Sequence, residues 1–469
     1  MQSSNSKPNL QKSVQEIIAK EPKISAIVQK IAENKGRALL VGGAVRDLFL
    51  GVQVKDLDIE VYGISLSQLE HILRNVGVVS AVGKSFGVLR LHHLDIDWSL
   101  PRADSSGRKP QVVVDEHMSF EQAFKRRDLT INAMGIDLTT YELIDPYHGL
   151  LDLYDKKLRA TDLRLFVEDP LRFYRVMQFI GRFEMTPDVE LNHLCSTMDL
   201  RGISSERIEE EFEKLLLKSR RPSLGLRWLK SIGRLAELLP ELAATVGVEQ
   251  DARWHPEGDV FEHSMQALDA AAVLDYDSKE QKLMVMMAAL CHDFGKATTT
   301  QISHEGITCY GHDVEGEKLC VSFLKRITRK NTMLETVPKL VRYHMQPVHF
   351  VRGNAKPSAY KRLARKLAPH ATLRMLALLA LADARGCNAQ GHEPLTIQDP
   401  EIEAFVRAAH DAQVEHRPEE PVLKGRDLLD HVESGPRMGA LLQEAYEIQL
   451  EEGITDKDVL KQRVVGLKK

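Results

Sequence analysis

Two short stretches decide the fold of this chain: residues 39–47 read LLVGGAVRD, and residues 54–61 read VKDLDIEV. The apolar run Ala38 to Val41 predicts a short buried strand. Ala44 to Leu50 predict a short helix, and Gly51 is placed to end it. A strand, a tight turn and a helix therefore follow one another closely in sequence.

The turn between that strand and helix is a candidate anion site. Gly42 and Gly43 carry no side chains, so their amides can approach a phosphate closely. The first amides of a helix also lack partners inside the helix. Arg46 adds a planar guanidinium that matches phosphate geometry.

The second stretch predicts a strand with acidic residues on one face. Asp56, Asp58 and Glu60 alternate with apolar residues and therefore point to the same side. Two carboxylates at this spacing suit Mg²⁺, which prefers oxygen ligands. With the glycine turn just upstream, the pattern favours metal ions acting on phosphates that the amides hold. The alternative is a strand whose acidic face is merely solvated.

A second alternating strand, residues 94–98, carries Asp95 and Asp97 on one face. A two-metal site commonly needs a third carboxylate from a neighbouring strand. Either residue can supply it, and the strand pattern alone does not decide between them.

The composition is that of a soluble globular protein: 469 residues, 43% hydrophobic, 28% charged, with a formal net charge of −4. That charge gives no global nucleic-acid signal. The five cysteines contain no C-x-x-C pair, which indicates a reduced, cytoplasmic protein. No apolar run approaches about 20 residues, so no membrane span is expected. Residues 1–8 are polar and do not resemble a secretory signal.

The chain is organised as an α+β head followed by helices. Residues 10–34 predict one or two amphipathic helices, and residues from about 153 onward have an almost entirely helical period. The head combines a helix near Ser67 to Val76 with short strands, predicted at Ala38–Val41, Asp56–Tyr62, Val88–Leu91, Asp95–Trp98 and Ala133–Asp137. We expect a mixed or antiparallel sheet in the head. The predicted segments are 1–35 (N-terminal helices), 36–152 (head), 153–220 (neck), 221–395 (body) and 396–469 (tail).

Residues 125–127 form a basic cluster, Lys-Arg-Arg, followed by Asp128. Three consecutive cations suit contact with a triphosphate or an RNA backbone, although such a triplet is often a solvated patch. Thr130 and Asn132 alternate with apolar residues, so we expect them to share a face. The polar loop 103–110 is either a plain surface loop or a flexible lever beside the active site.

Asp169 and Arg172 lie near a predicted helix start and meet on one helix face at i,i+3 spacing. A carboxylate accepts from the amino group of cytosine or adenine, and a guanidinium donates to the adjacent ring nitrogen. Guanine and uracil present the reverse pattern and would leave polar groups unpaired. The alternative is an ordinary surface ion pair.

A third cluster lies in the helical body and consists of His263, His292, Asp293 and Asp383. Imidazoles combined with carboxylates suit Mn, Ni, Fe or Zn. His312 and His344 are candidates for a second metal position. The alternative is a set of unrelated histidines that are exposed or satisfied in the core.

These motifs together resemble the class II tRNA nucleotidyltransferases, that is, the CCA-adding enzymes and their poly(A) polymerase relatives. The resemblance covers about residues 39–212 in five motifs in family order. They are residues 42–47 with Asp56-x-Asp58, residues 126–133, residues 145–149 with Asp152, Asp169-x-x-Arg172, and residues 205–208.

The resemblance implies that Asp56 and Asp58 are catalytic and hold Mg²⁺, and it favours Asp97 over Asp95 as the third carboxylate. It implies that Asp169 and Arg172 pair with incoming CTP or ATP. The further nucleotide-binding residues that it implies are Gly42, Gly43, Arg46, Arg126, Arg127, Asp128, Asn132 and Arg175. The flexible loop before Arg126 favours full CCA addition over CC addition.

Residues 260–386 resemble an HD phosphohydrolase domain, which some bacterial CCA-adding enzymes carry. The resemblance implies that His263, His292, Asp293 and Asp383 hold a metal such as Ni, Mn or Co. The implied reaction is hydrolysis of phosphoesters such as 2′,3′-cyclic phosphates or 2′-phosphates on RNA. The tail resembles the part of the family that holds the tRNA elbow.

The sequence therefore predicts template-independent addition of CCA to tRNA from CTP and ATP by two-metal nucleotidyl transfer. One alternative is a phosphohydrolase whose head only binds nucleotides or RNA. An alarmone synthetase–hydrolase also joins these two chemistries, but it has no use for the Asp169 and Arg172 motif. A poly(A) polymerase is a third alternative, and it would add many adenosines and ignore CTP.

Overall fold

The structure is a computed structural model and describes residues 10–19, 21–54, 56–81, 87–92, 94, 96–104 and 112–466. The chain divides into two compact units, residues 1–203 and residues 204–469. Across the described ranges, none of the helices has the length and apolar character needed to cross a membrane. The five-segment division predicted from sequence is finer than these two units and stays a prediction.

The first unit combines short strands with helices. Its strands are β1 (Arg37–Val41), β2 (Leu57–Tyr62), β3 (Val79–Ala81), β4 (Val88–Leu91), β5 (Ile96–Ser99), β6 (Arg102–Asp104), β7 (Val112–Val114), β8 (Gly135–Asp137), β9 (Leu143–Ile144), β10 (Lys157–Leu158) and β11 (Thr186–Pro187). Its helices are α1 (Leu10–Ala19), α2 (Pro22–Glu33), α3 (Gly43–Phe49), α4 (Leu66–Arg74), α5 (Phe120–Lys125), α6 (Gly149–Tyr154), α7 (Leu163–Phe166), α8 (Leu171–Phe183) and α9 (Val189–Thr197).

Within the described residues, seven strands form one mixed sheet in the order β3-β4-β5-β2-β1-β8-β9. β2 and β5 run parallel, and the other neighbouring pairs are antiparallel. The parallel register places Asp58 opposite Asp97. This arrangement confirms the predicted α+β head with a mixed sheet.

An apolar cluster packs α5 against the central strands of the sheet. β1 lies inside the sheet between β2 and β8, and its apolar run suits a strand that is covered on both faces. The cluster consists of Leu39, Val41, Tyr62, Ala123, Phe124 and Ala133, all of which are buried. This packing fixes β1 and β2 beneath the basic segment that follows α5.

The segment after the basic cluster differs from the prediction. Thr130–Asn132 is a 3₁₀ helix, so the strand predicted from Ala133 begins only at Gly135. Because each 3₁₀ residue turns the chain by about 120°, Thr130 and Asn132 point in different directions and do not share a face. Thr130 donates to Asp152 at 2.6 Å, whereas Asn132 donates to Asp128 at 2.9 Å.

The region after β5 differs from the prediction in one respect and leaves one expectation untested. β6 and β7 pair as a short antiparallel hairpin that the sequence reading did not predict. Most of the predicted loop, residues 105–110, lies outside the described residues, as does Asp95. The proposal that this loop is a lever therefore stays a prediction.

The second unit is helical apart from one two-stranded hairpin in the part that the structure describes. Its first helices are α10 (Ser205–Lys218), α11 (Ser223–Ser231), α12 (Leu235–Leu238), α13 (Pro240–Ala243), α14 (Val260–Ala272), α15 (Lys279–Cys291) and α16 (Lys296–Thr299). The hairpin follows as β12 (Gln301–Ser303) and β13 (Gly306–Thr308). The later helices are α17 (His312–Ile327), α18 (Asn331–Tyr343), α19 (Gln346–Arg352), α20 (Pro357–Leu367), α21 (Leu373–Arg385), α22 (Pro400–Asp411), α23 (Pro436–Glu452) and α24 (Lys457–Gly466).

The core of the second unit forms around α14 and α15. α14 packs against α15 and α21, and α15 also packs against α18. Small residues such as Ala270, Ala271, Ala288 and Ala289 are buried between these helices and let their backbones approach closely. The predicted metal ligands lie on these helices or at their ends.

The motif at residues 145–149 begins helix α6. The Asp145 carboxylate accepts hydrogen bonds from the backbone N–H of Gly149 at 2.7 Å and of Leu150 at 3.0 Å. These are amides that an α-helix leaves without internal partners. Asp145 is therefore a helix cap in this structure.

We expect Asp145→Ala to lower the free energy of unfolding by about 1–2 kcal/mol, because the first amides of α6 lose their acceptor. Asp145→Asn keeps one acceptor oxygen and should lose about half as much. Urea unfolding of the three proteins measures the difference. Equal stability of Asp145→Ala and the unchanged protein would refute the capping role.

Candidate functional site

The acidic residues of the head meet at the β2–β5 pair. Asp58 and Asp97 are directly opposite on parallel strands, and Asp56 immediately precedes β2. The Asp58 side chain is exposed to solvent, yet several other charged groups surround it. Desolvation raises the pKa of Asp58; Arg127 lowers it, and the carboxylates of Asp97, Asp56 and Glu60 raise it further.

This concentration of like charge fits a divalent cation. A metal ion held by Asp56 and Asp58 would relieve the repulsion that raises the pKa of Asp58. Asp97 is also paired with a cationic side chain, because Arg90 donates to its Oδ1 atom at 2.7 Å. The role of Asp97 as a third metal ligand stays a prediction.

Glu60 is a site residue to which the sequence reading gave no role. Its side chain is buried on the same face of β2 as Asp58, and it accepts from the Tyr62 hydroxyl. The guanidinium groups of Arg126 and Arg127 lie 3.4 and 3.8 Å from its Oε2 atom. Glu60 therefore holds two predicted nucleotide-binding arginines beside the acidic strand, and the alternation of residues 56–60 was the signal for it.

A buried polar network joins the glycine-turn helix to the basic segment. Arg46 is buried, donates to Asp47 at 2.7–2.9 Å and also contacts the side-chain oxygen of Asn132. Asn132 in turn donates to Asp128 at 2.9 Å, and Arg175 donates to the other Asp128 oxygen at 2.6 Å. The structure therefore brings four predicted nucleotide-binding residues into one network.

Asp128 is ionised within this network. Burial alone would raise the pKa of its carboxyl group. Arg175, Asn132 and the Leu129 amide outweigh burial and lower the pKa to about 2. A buried carboxylate with this many donors fixes the position of each of them.

The glycine turn lies beside the same arginines. Gly42 has a φ of +72°, a left-handed conformation that favours glycine. A Cβ atom at Gly42 would lie 2.7 Å from an Nη atom of Arg127. The turn therefore brings bare backbone next to a cation, as the phosphate-site prediction requires.

The predicted base-reading residues lie at the start of α8. Asp169 Oδ1 accepts from the backbone N–H of Leu171 at 3.1 Å and so caps the helix. Arg172 donates to the carbonyl oxygens of Leu165 at 2.9 Å and Arg126 at 2.5 Å. The helix that carries Arg172 is thereby tied to the basic segment, which Glu60 ties to the acidic strand.

In the second unit, the four predicted ligands converge on a common centre. His263 Nε2 lies 3.0 Å from Asp383 Oδ1, 3.1 Å from His292 Nε2 and 3.7 Å from Asp293 Oδ2. His292 Nε2 lies 3.3 Å from Asp293 Oδ2. Distances of this size separate the ligands of a single metal ion.

His312 and His344 form a second group on the other oxygen of Asp293. Their Nε2 atoms are 3.3 Å apart, and they lie 3.6 and 4.0 Å from Asp293 Oδ1. Asp293 therefore presents one oxygen to each group, an arrangement suited to a carboxylate that bridges two metal positions.

Hydrogen bonds fix how these histidines face the centre. In each ring, Nδ1 is bonded to an acceptor: Glu257 for His263 at 2.7 Å, and the carbonyl oxygens of Ala289, Cys309 and Val341 for His292, His312 and His344 at 2.7–2.9 Å. With Nδ1 bonded to these acceptors, each ring turns Nε2 toward the centre, where a neutral ring offers its lone pair to a metal ion. The Nε2 atoms of His263 and His292, and those of His312 and His344, are 3.1 and 3.3 Å apart, so both nitrogens of each pair are within reach of one cation.

The carboxylates at this centre are also suited to metal ions. Both oxygens of Asp293 are buried, and Lys296 Nζ lies 2.7 Å from Oδ2. Burial would raise the pKa values of Asp293 and Asp383, but neighbouring cations lower both, so both groups are ionised at neutral pH. Burial and the nearby His292 and His312 rings lower the pKa of His344 to about 4, which keeps that ring neutral.

Two residues at this centre were missed as site residues. Lys296 Nζ lies 2.7 Å from Asp293 Oδ2, and its i+3 spacing was a usable signal. Glu257 orients His263 from a segment before α14, and no spacing rule indicates that contact. Gly295 makes the arrangement possible, because a Cβ atom there would lie 2.0 Å from the His312 carbonyl oxygen.

Comparison with known proteins gives the class of both units. The chain matches the poly A polymerase head domain over residues 38–159, and the probable RNA and SrmB-binding site of polymerase A over residues 182–245. It matches the HD domain over residues 260–384. The chain thus joins a polymerase-type nucleotidyltransferase head to an HD domain, and both kinds of domain imply dependence on divalent metal ions.

Relatives narrow this class. The multifunctional CCA protein of Methylobacillus flagellatus is 35% identical over 317 residues, which cover 66% of this chain and 74% of that protein. The multifunctional CCA protein of Pasteurella multocida is 36% identical over 301 residues, 61% of this chain and 69% of that protein. The chain belongs to the family of multifunctional CCA proteins.

Solved structures confirm the fold over nearly the whole chain. The Bacillus stearothermophilus CCA-adding enzyme in complex with CTP has a TM-score of 0.63 at 18% identity and covers 94% of this chain and 98% of its own. The Thermotoga maritima CCA-adding enzyme in complex with tRNA has a TM-score of 0.59 at 18% identity and covers 98% of both chains.

We expect Asp128→Asn to lower the free energy of unfolding by about 2 kcal/mol at pH 7, because the folded pKa of about 2 lies below the ordinary value of 3.8. A lowered carboxyl pKa stabilises the fold above pH 4, and this stabilisation is lost as the pH falls toward 2. The difference between the two proteins should therefore be constant from pH 7 to 5 and fall by about half at pH 3.

Urea unfolding at several pH values measures this difference. Asp199→Asn is the matched control, because Asp199 is an exposed aspartate that forms an ion pair with the exposed Arg201. A difference for Asp128→Asn that does not change between pH 7 and 3 would contradict the prediction.

Proposed function

We propose that the protein adds CCA to the 3′ end of tRNA from CTP and ATP, and that its HD centre hydrolyses phosphoesters of ribonucleotides. Membership of the multifunctional CCA family supports both parts. The observation that carries the polymerase assignment is the basic segment, which contacts the acidic strand through Glu60 and the base-reading helix through Arg172. We place this tRNA reaction in the cytoplasm.

In the head, Asp56 and Asp58, with Asp97 as a further candidate, would hold Mg²⁺. When bound, the metal supplies charge neutralisation at the triphosphate and activation of the terminal 3′-hydroxyl. Arg126 and Arg127 present positive charge to the triphosphate from fixed positions on Glu60. The glycine turn, which lies beside the same arginines, offers further backbone amides to the triphosphate.

Base choice belongs to Asp169 and Arg172 in this proposal. The described residues use two of the five Arg172 N–H donors to hold the guanidinium against Leu165 and Arg126. Further donors are left for a ring nitrogen, and the Asp169 carboxylate accepts from the amino group of cytosine or adenine. Protein atoms thus select the base without a nucleic-acid template.

In the second unit, His263, His292, Asp293 and Asp383 would hold one metal ion, and His312 and His344 would complete a second position on Asp293. Imidazoles with carboxylates favour a transition metal such as Ni, Mn or Co. When bound, the metal supplies Lewis-acid activation of the phosphoester. Lys296 adds a buried cation at the edge of this centre.

We expect the protein to extend tRNA that lacks its last three nucleotides when CTP and ATP are supplied, but not with UTP or GTP. Asp58→Ala should reduce incorporation at least about a thousandfold, because the metal loses a ligand, and leave hydrolysis of a 2′,3′-cyclic nucleotide intact. His292→Ala should do the reverse. Labelled-nucleotide incorporation and phosphate release measure the two reactions.

The matched controls are Asp199→Ala and His304→Ala, which alter exposed side chains of the same types. Incorporation of UTP or GTP at rates similar to CTP would refute the base-selection proposal. Long adenosine tails with no use of CTP would indicate a poly(A) polymerase instead. Hydrolysis without any incorporation would indicate a phosphohydrolase with a nucleotide-binding head.

Asp169→Asn should keep the cap on α8, because the amide oxygen can still accept from Leu171, and should weaken base selection. We expect CTP and ATP incorporation to fall about 10- to 100-fold and the preference for CTP over UTP to fall by a similar factor. Single-nucleotide incorporation with each of the four triphosphates measures this. Equal loss for all four triphosphates would assign Asp169 a structural role only.

A further inference from the structure

A cleft of about 410 Å³ opens over the metal centre of the second unit. Its floor includes the ligands Asp293, His312, His344 and Asp383, together with Lys296. This volume lies within the range of pockets that bind small organic ligands. A phosphate alone would fill only a small part of it, so the cleft has room for the rest of a larger phosphoester.

Trp254 lines the same cleft and is unusually exposed. Its side chain is 66% accessible, whereas the two other tryptophans, Trp98 and Trp228, are 0% and 6% accessible. The described residues give the Trp254 indole no hydrogen bond and no aromatic partner. A large apolar ring beside a charged centre is a feature that water disfavours and that a ligand can cover.

The backbone of Trp254 is held next to the metal ligands. The N–H groups of Trp254 and His255 both donate to the carbonyl oxygen of Asp251 at 2.9 Å. His255 Nδ1 lies 3.0 Å from Glu257, which orients His263 through a 2.7 Å bond. The turn that carries the indole is thus connected to the ligand set through short contacts.

We propose that Trp254 is the base platform of the HD cleft, on which the nucleobase of a ribonucleoside 2′,3′-cyclic phosphate or 2′-phosphate stacks while its phosphate lies at the candidate metal centre beside Lys296. Aromatic side chains stack on every base, because every base presents a π face. The platform therefore favours nucleoside phosphates over base-free phosphoesters and distinguishes the bases only weakly. This inference rests on the proposed hydrolase activity of the same cleft.

The test compares two substrates with the same reacting group: adenosine 2′,3′-cyclic phosphate and the base-free glycerol 1,2-cyclic phosphate. We expect Trp254→Ala to raise KM for the adenosine compound about tenfold, with kcat changed less than about twofold. Hydrolysis of the glycerol compound should not change. Trp254→Phe should restore most of the affinity, because phenylalanine also stacks.

Tyr310→Ala is the matched control. Tyr310 is also an exposed aromatic residue, with 87% of its side chain accessible, but it does not line the cleft. The Tyr310→Ala variant should hydrolyse both compounds at the same rates as the unchanged protein. An equal loss of both substrates in Trp254→Ala, or no loss of either, would overturn the platform role.

A binding measurement separates this proposal from the hydrolase proposal. Adenosine 2′-monophosphate should quench the fluorescence of the unchanged protein, and Trp254→Phe should abolish the quenching because the two remaining tryptophans are buried. Quenching that depends on Trp254 without any hydrolysis would refute the hydrolase and support the platform. Hydrolysis of both compounds without a preference for the adenosine compound, and without quenching, would refute the platform and support the hydrolase.

Discussion

Both candidate sites depend on carboxylates gathered where their negative charge is costly. Asp58 and Asp97 face each other across parallel strands, and Asp293 and Asp383 are packed among helices. A buried or crowded carboxylate requires positive partners, and the surrounding fold supplies them. Arg127 and Arg90 lie beside the first pair, and Lys296 contacts Asp293. In both units the charge that remains suits divalent metal ions.

The head also shows how buried carboxylates organise cations for a substrate. Glu60 holds Arg126 and Arg127, and Asp128 holds Arg175 and, through Asn132, Arg46. These contacts fix the positions of the cationic side chains. Such preorganisation lets positive charge act on a triphosphate without a further cost of ordering long, flexible side chains.

The helical unit orients its candidate ligands with hydrogen bonds to the histidine rings. Backbone carbonyl oxygens and Glu257 fix the proton of each histidine on Nδ1, so every Nε2 atom faces the centre. The ligand set lies entirely within the second unit, just as Asp58 and its partners lie entirely within the first. Each unit therefore carries its own candidate metal-binding side chains, which is why we expect single substitutions to separate the two proposed reactions.

The sequence by itself determined the features that depend on local periodicity. Alternation predicted β2 and its acidic face, and an apolar helix ending in His292-Asp293 indicated a metal site. The pairing of Asp169 with Arg172 from their i,i+3 spacing stays a prediction. Only the tertiary structure decided that Asp58 lies opposite Asp97, that Glu60 holds the arginines, and that Asp293 faces two groups of histidines. It also showed that Thr130 and Asn132 diverge in a 3₁₀ turn. The physical reason is that strand register, close helix packing and hydrogen bonds between distant segments arise from contacts between residues far apart in the chain, and local pattern carries no information about those contacts.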